Sequence, residues 1–132
     1  MKTIIQKVKF KASPKELYDI ILDPKKHSAA TGAKATGSNK LGGTFTAWEG
    51  YIKGKNIALV PGRMIVQSWR SGQFKGSDHD SVLVLTFEKA PGGTLLTMTH
   101  TAVPEHKARE FAAGWREFYW KPIANYLKGK KG

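Results

Sequence analysis

The chain contains four residues suited to proton transfer or metal binding, His27, His79, His100 and His106, and no cysteine. The absence of cysteine excludes disulfides, thiolate metal ligands and a thiol nucleophile. His79 lies in SDHDS between Asp78 and Asp80. Ligands must converge on a metal, as two histidines four apart on a helix do; adjacent residues in a polar stretch diverge. A solvated loop is the better reading of DHD. His100 is different. In TLLTMTHTAV it shares one face with Leu96, Met98 and Ala102, while Thr97, Thr99 and Thr101 share the other. It reads as a hydrogen-bonded core or rim histidine, with orientation of a ligand in a cavity as the alternative. General acid–base work needs a partner, and none is evident. Glu49, the only acid between Pro24 and Ser77, reads as a lysine's partner or as a carboxylate near a cavity mouth. There is no GxSxG, no GxGxxG after a strand and no phosphate-binding GxxxxGK[ST]. No catalytic residue, metal ligand or cofactor is assigned, and catalysis by a recognisable mechanism is disfavoured.

The aromatic residues carry a stronger signal. Four tryptophans, four tyrosines and six phenylalanines occur in 132 residues. Large rings in a small protein are mainly core. The alternative is a cavity lining built from Phe45, Trp48, Met64, Trp69, Phe87, Met98, His100, Phe111, Trp115 and Phe118, with methionine supplying an adaptable wall. Trp48 and Trp69 fall on expected strands and Trp115 on a helical stripe. Trp120 is expected to be exposed, which would suit a partner surface.

The elements that must position these residues follow from pattern. Residues 3–12 alternate, with Ile4, Val8 and Phe10 opposite Lys7, Lys9 and Lys11, as in a half-buried strand. Ser13-Pro14-Lys15-Glu16 then has the form of a helix start. Leu17, Ile20 and Ile21 form its stripe, with Tyr18 on the flank, and Asp23-Pro24 ends it. Residues 25–32 could supply a second short helix. From Ala33 to Ala102 the chain reads as strands and turns, closing with SVLVLTFEK and TLLTMTHTAV joined at APGG. Residues 104–128 return to helix, with Phe111, Trp115, Phe118 and Ile123 on its apolar stripe. Gly114 weakens this helix by about 1 kcal/mol, Pro122 should kink it, and Gly129 should stop it.

Composition bounds the answer. The length suits one domain spanning 1–132, with 128–132 expected to be a basic, mobile tail. Lys plus Arg number 22 against 10 acids, a formal charge of +12. Such an excess favours anionic partners: an acidic protein, nucleic acid or an anionic membrane surface. Arginine, the usual base reader, is scarce, and no nucleic-acid motif occurs. There is no transmembrane segment and no signal-peptide-like run, so a cytoplasmic protein is expected.

The order strand, short helices, antiparallel strands, long helix implies an α+β fold in which a curved sheet is covered by the last helix. SPKELYDIILDP, GGTFTAWEGYIKG, RMIVQSWRS, SVLVLTFE, GGTLLTMTHTAVP and GWREFYWKPIANYL, in this order, cover most of the chain. Together they resemble the activator of heat-shock protein ninety ATPase homologue-like family, within the START-like, birch-pollen-allergen-like superfamily. The resemblance implies a helix-grip fold with a cavity between sheet and helix. It also implies a choice of roles, since members include hydrophobic-ligand carriers, hormone receptors, polyketide cyclases and co-chaperone domains. The eukaryotic co-chaperone's separate N-terminal domain has no counterpart in these residues. The expected function is non-catalytic binding of a small hydrophobic or lipid-like ligand; the alternative is a chaperone-accessory interaction module with a basic surface.

Overall fold

In the computed structural model, which describes residues 1–131 and their side chains through Gly129, the first strand, β1 (Lys2–Phe10), alternates as its sequence predicts. Ile4, Gln6 and Phe10 turn inward and the lysines outward. Helix α1 (Pro14–Leu22) starts where Ser13 Oγ accepts the Glu16 N–H at 3.1 Å. Its buried face is Leu17, Tyr18 and Ile20, so Tyr18 is core rather than flank. Asp23 ends α1 through its N–H, bonded to Asp19 O, and opens α2 (Pro24–Thr31) through its carboxylate, which accepts the Lys25 N–H at 2.9 Å.

Strands β2 (Thr36–Gly37), β3 (Thr44–Ala47), β4 (Ile52–Val60), β5 (Met64–Ser71), β6 (Ser81–Ala90) and β7 (Gly93–Val103) follow. Among the described residues they form one antiparallel sheet with β1, in the order β1-β7-β6-β5-β4-β3-β2. The β6–β7 hairpin closes on Pro91-Gly92, where Gly92 takes φ +79°, a conformation without steric cost for glycine. Ala102 also has a positive φ, 58°. The resulting bulge interrupts the β1–β7 register and turns Val103 inward in place of Ala102. Buried amides tie the loop before β3 to the sheet. Asn56 Nδ2 donates to Ser38 O and Lys40 O, and Gln67 Nε2 donates to Asn56 Oδ1 at 2.9 Å.

After a 3₁₀ turn (Glu105–Lys107), the C-terminal helix lies over the inner face of the sheet as α3 (Ala108–Trp115), a π-helical stretch (Arg116–Trp120) and α4 (Lys121–Lys131). The disturbance expected at Pro122 takes the form of this π stretch just before it. Pro122 has no N–H to offer, and the preceding Lys121 N–H reaches back five residues to Arg116 O. The wide turn shifts the helical phase. Trp120, expected outside, is 6% exposed, and its Nε1–H donates to Gln6 Oε1 at 2.7 Å. Phe118, expected on the buried stripe, is 56% exposed. Gln6 Nε2 donates to Ala112 O at 2.9 Å, fastening the helix to β1 at the π junction. Gly129 does not stop the helix, which runs through to Lys131. The expectation of a mobile tail falls partly on Gly132 and on the Lys130 and Lys131 side chains, which lie outside the described residues.

Candidate functional site

The space between sheet and helix is not one cavity. Its interior is filled by side chains, leaving about 30 Å³ beside His27, Phe45, Trp69, Trp115 and Tyr119. That is room for a water molecule and too little for a ligand. The usable space is a cleft of about 420 Å³ at the open end of the grip, within the range of about 300–1,000 Å³ common for ligand sites.

Four pieces of chain build this cleft: the β3–β4 turn with Trp48, Tyr51 and Ile52; Trp69 from β5; Gln73 from the β5–β6 loop; and Glu110, Phe111, Gly114, Trp115, Phe118 and Tyr119 from the C-terminal helix. The rings meet at edges and tilts. Trp48 lies 5.5 Å from Phe118 and 6.1 Å from Tyr119. Trp69 lies 5.4 Å from Phe111 and 5.9 Å from Trp115. Such pairs fix one another's orientation. Phe74, 8% exposed, anchors the β5–β6 loop by packing against Trp69 and Phe111.

Five of the ten expected site residues line this cleft: Trp48, Trp69, Phe111, Trp115 and Phe118. Phe45 lines only the small internal space. Met98 is fully buried behind the rings, and Phe87 is core at the α1 end, 5.8 Å from Tyr18. Met64 lies on the outer side of β5, whose inward residues are Ile65, Gln67, Trp69 and Ser71; it faces away from the helix. Trp48 sits in a turn, at φ 53°, and not on a strand.

His100 is completely buried and fully bonded. Trp115 Nε1–H donates to its Nδ1 at 3.2 Å, its Nε2–H donates to Ser81 Oγ at 2.8 Å, and Ser81 donates in turn to Trp69 O at 2.7 Å. This chain fixes one neutral tautomer. Burial lowers its pKa to about 4, so it stays neutral near pH 7. It holds Trp69 and Trp115, two walls of the cleft. His27 is also held neutral by burial; its Nδ1–H donates to Ile21 O at 2.8 Å, and Nε2 is without a partner. Burial raises the pKa of the Tyr119 phenol, opposed by the Trp48 side chain. The DHD segment holds no metal-ligand cluster among the described residues. Asp78 accepts the Lys75 N–H at 2.7 Å, Asp80 pairs with Arg70 at 3.1 Å, and His79 is exposed. Glu49 is exposed in the turn, at φ 58°.

The missed lining residues were Tyr51, Ile52, Gln73, Glu110, Gly114 and Tyr119. Gly114 had a signal: a glycine inside an aromatic helix stripe marks open space or close approach.

Residues 11–128 match the family described as "Activator of Hsp90 ATPase homolog 1-like protein". The chain belongs to this family. The human activator of 90 kDa heat shock protein ATPase homolog 1 is 32% identical over 120 residues, covering 91% of this chain and 35% of its own. The Dictyostelium discoideum homolog is 31% identical over 116 residues, covering 87% of this chain and 30% of its own. This family member thus spans about a third of the length of those curated relatives. An HSP90 activator from Plasmodium falciparum shares the fold at TM-score 0.85 and 20% identity, over 97% of each chain. The Aha1 dimer from Colwellia psychrerythraea superposes at TM-score 0.81 and 18% identity over the whole of both chains. The helix-grip, START-like fold implied by the resemblance is the fold of this chain and of its family. Among the described residues no helix is long and apolar enough to cross a membrane.

Proposed function

We propose that this chain binds a small apolar molecule in the aromatic cleft and performs no chemistry on it. The observation that carries this reading is the cleft itself: about 420 Å³, bounded by seven aromatic side chains. Hydrophobic rings around a few polar groups are the usual composition of a ligand site. No acid–base pair lines it, and both ring nitrogens of His100 are committed to internal hydrogen bonds, with Ser81 and Trp115. The test is native mass spectrometry of the purified protein after exposure to a total lipid and metabolite extract. A discrete added mass, absent from Gly114→Trp protein that still folds, supports the reading; no added mass sinks it.

A second reading has its own observation. Along edge strand β1 an open groove is lined by Lys7, Arg116 and Lys121 together with Ile5, Val8 and Trp120, and Ile5 is 64% exposed. A basic groove with an apolar floor fits an acidic protein segment. The relatives' names make a 90 kDa heat shock protein the partner to try. Salt-sensitive stimulation of that protein's ATPase, lost in a Lys7→Glu, Lys121→Glu double variant, would establish this role.

A further inference from the structure

The charge of the cleft opposes the charge of the chain. Lysine and arginine number 22 in this protein, giving +12 overall, yet among the described residues none of them lines the cleft. Glu110 is the one carboxylate in its wall, and its other residues are aromatic, aliphatic, Gly114 and Gln73. Glu110 sits in the first turn of α3, where its carboxylate offsets the helix's positive end. Lys107 approaches it at 3.3 Å, but the Glu110 side chain is 59% exposed, and an exposed pair of this kind is weak enough to yield to a competing cation. The exposed Glu49 lies next to Trp48 on the turn forming the opposite lip.

We propose that the cleft selects uncharged or cationic apolar molecules, such as a ring bearing an amine or quaternary ammonium, over carboxylates and sulfonates. The inference rests on the cleft being a ligand site. An anion entering it sheds water and meets ring faces, which are electronegative, with no cationic side chain in the wall to replace that water. A cation meets the same faces favourably and gains Glu110. The net charge of the protein pulls the other way, since +12 attracts anions. That field is screened over about 8 Å at physiological salt, so the wall decides. A preference for cations therefore cannot be a by-product of overall charge.

The experiment titrates three naphthyl probes of nearly equal size against the intact protein, reading tryptophan fluorescence: 2-naphthylmethylammonium, 2-naphthylmethanol and 2-naphthoate. The cation should bind about three- to tenfold more tightly than the anion, the worth of one cation–π contact with a nearby carboxylate. Glu110→Gln should narrow that gap, and Gly114→Leu should weaken all three probes. If the alcohol binds and the anion matches or exceeds the cation, the charge selectivity is overturned and the ligand reading stands. If none of the probes binds, both fall. Cation binding undiminished in Gly114→Leu protein would place the cation elsewhere and overturn the proposal, and an intact gap in Glu110→Gln would overturn the part assigned to that carboxylate.

Discussion

Gly114→Leu separates the ligand site from the stability of the fold. Gly114 lies inside α3 and lines the cleft. A Cβ placed on it meets Phe118 Cδ2 at 3.8 Å and nothing closer, an ordinary van der Waals distance, so the Cβ itself is accommodated and the rest of the side chain points into the cleft's space. Replacing a helix-interior glycine by leucine should stabilise the helix by about 0.8 kcal/mol. For a chain of this length that raises Tm by about 3 °C. The four added carbons enter a space of about 420 Å³. If they displace ligand contact equivalent to two buried methylenes, the loss is about 1.6 kcal/mol, roughly fifteenfold in Kd. The assay pairs a thermal melt with titration of 2-naphthylmethanol. Raised Tm with unchanged affinity would refute the cleft as the site. Lowered Tm would refute the claim that space at Gly114 is free.

Acid should destabilise the protein as pH falls below about 6.5. The His100 pKa is lowered from 6.5 to about 4, so the unfolded state binds the proton more tightly, and the stability this gives above pH 6.5 is lost as pH falls toward 4. The full contribution is about 3 kcal/mol, and urea denaturation at several pH values in that window would read it; a flat response would contradict the buried neutral histidine. Ser81→Ala leaves the His100 Nε2–H and Trp69 O without their shared partner and should cost about 2 kcal/mol in the same assay. Gln6→Leu strands Trp120 Nε1–H and Ala112 O; a loss of about 2 kcal/mol is expected, and a neutral result would mean water reaches both groups. Ala102→Gly should raise stability by about 1 kcal/mol, because a residue with a Cβ is strained at φ 58°; a fall in Tm would show that the methyl group packs.

What was legible depended on which residues set their own geometry. Strand alternation placed His100 on the inner face because β7 stays regular as far as the bulge. The same rule, applied strictly, removes Met64. It lies five positions from Trp69 on one strand, so the two cannot share a face. Trp48 reached the cleft for a reason alternation cannot supply: three residues after Phe45, a turn redirects it. Trp120 and Phe118 exchanged their expected environments because the π stretch sets back the helical phase. Pro122 announced a disturbance but not its form. Glu110 and Gln73 come from separate segments, and only the closed sheet and overlying helix make them neighbours of the same space.

Ala102 at the β1–β7 bulge aside, the departures from local rule gather around the cleft. Trp48 and Glu49 both adopt left-handed backbone, at φ 53° and 58°, each costing about 1–2 kcal/mol for a residue with a Cβ. A glycine sits in the interior of α3, where alanine would serve the helix better. The helix widens to a π turn over Arg116–Trp120, moving Phe118 and Tyr119 to the cleft wall. The core facing α1 contains no such features: Leu17, Ile20, Leu85 and Leu96 pack from regular elements. Strain held at one end of a fold, and absent from the other, needs a compensating role there. Glu49→Gly tests this directly. If the turn exists to aim Trp48, relaxing its neighbour should raise Tm by about 3 °C, as about 1 kcal/mol of strain is released, and loosen the lip, so 2-naphthylmethanol should bind more weakly in a more stable protein. Stability and affinity rising together would mean the strained turn opposes binding, and the cleft would lose its claim to have been built at the fold's expense.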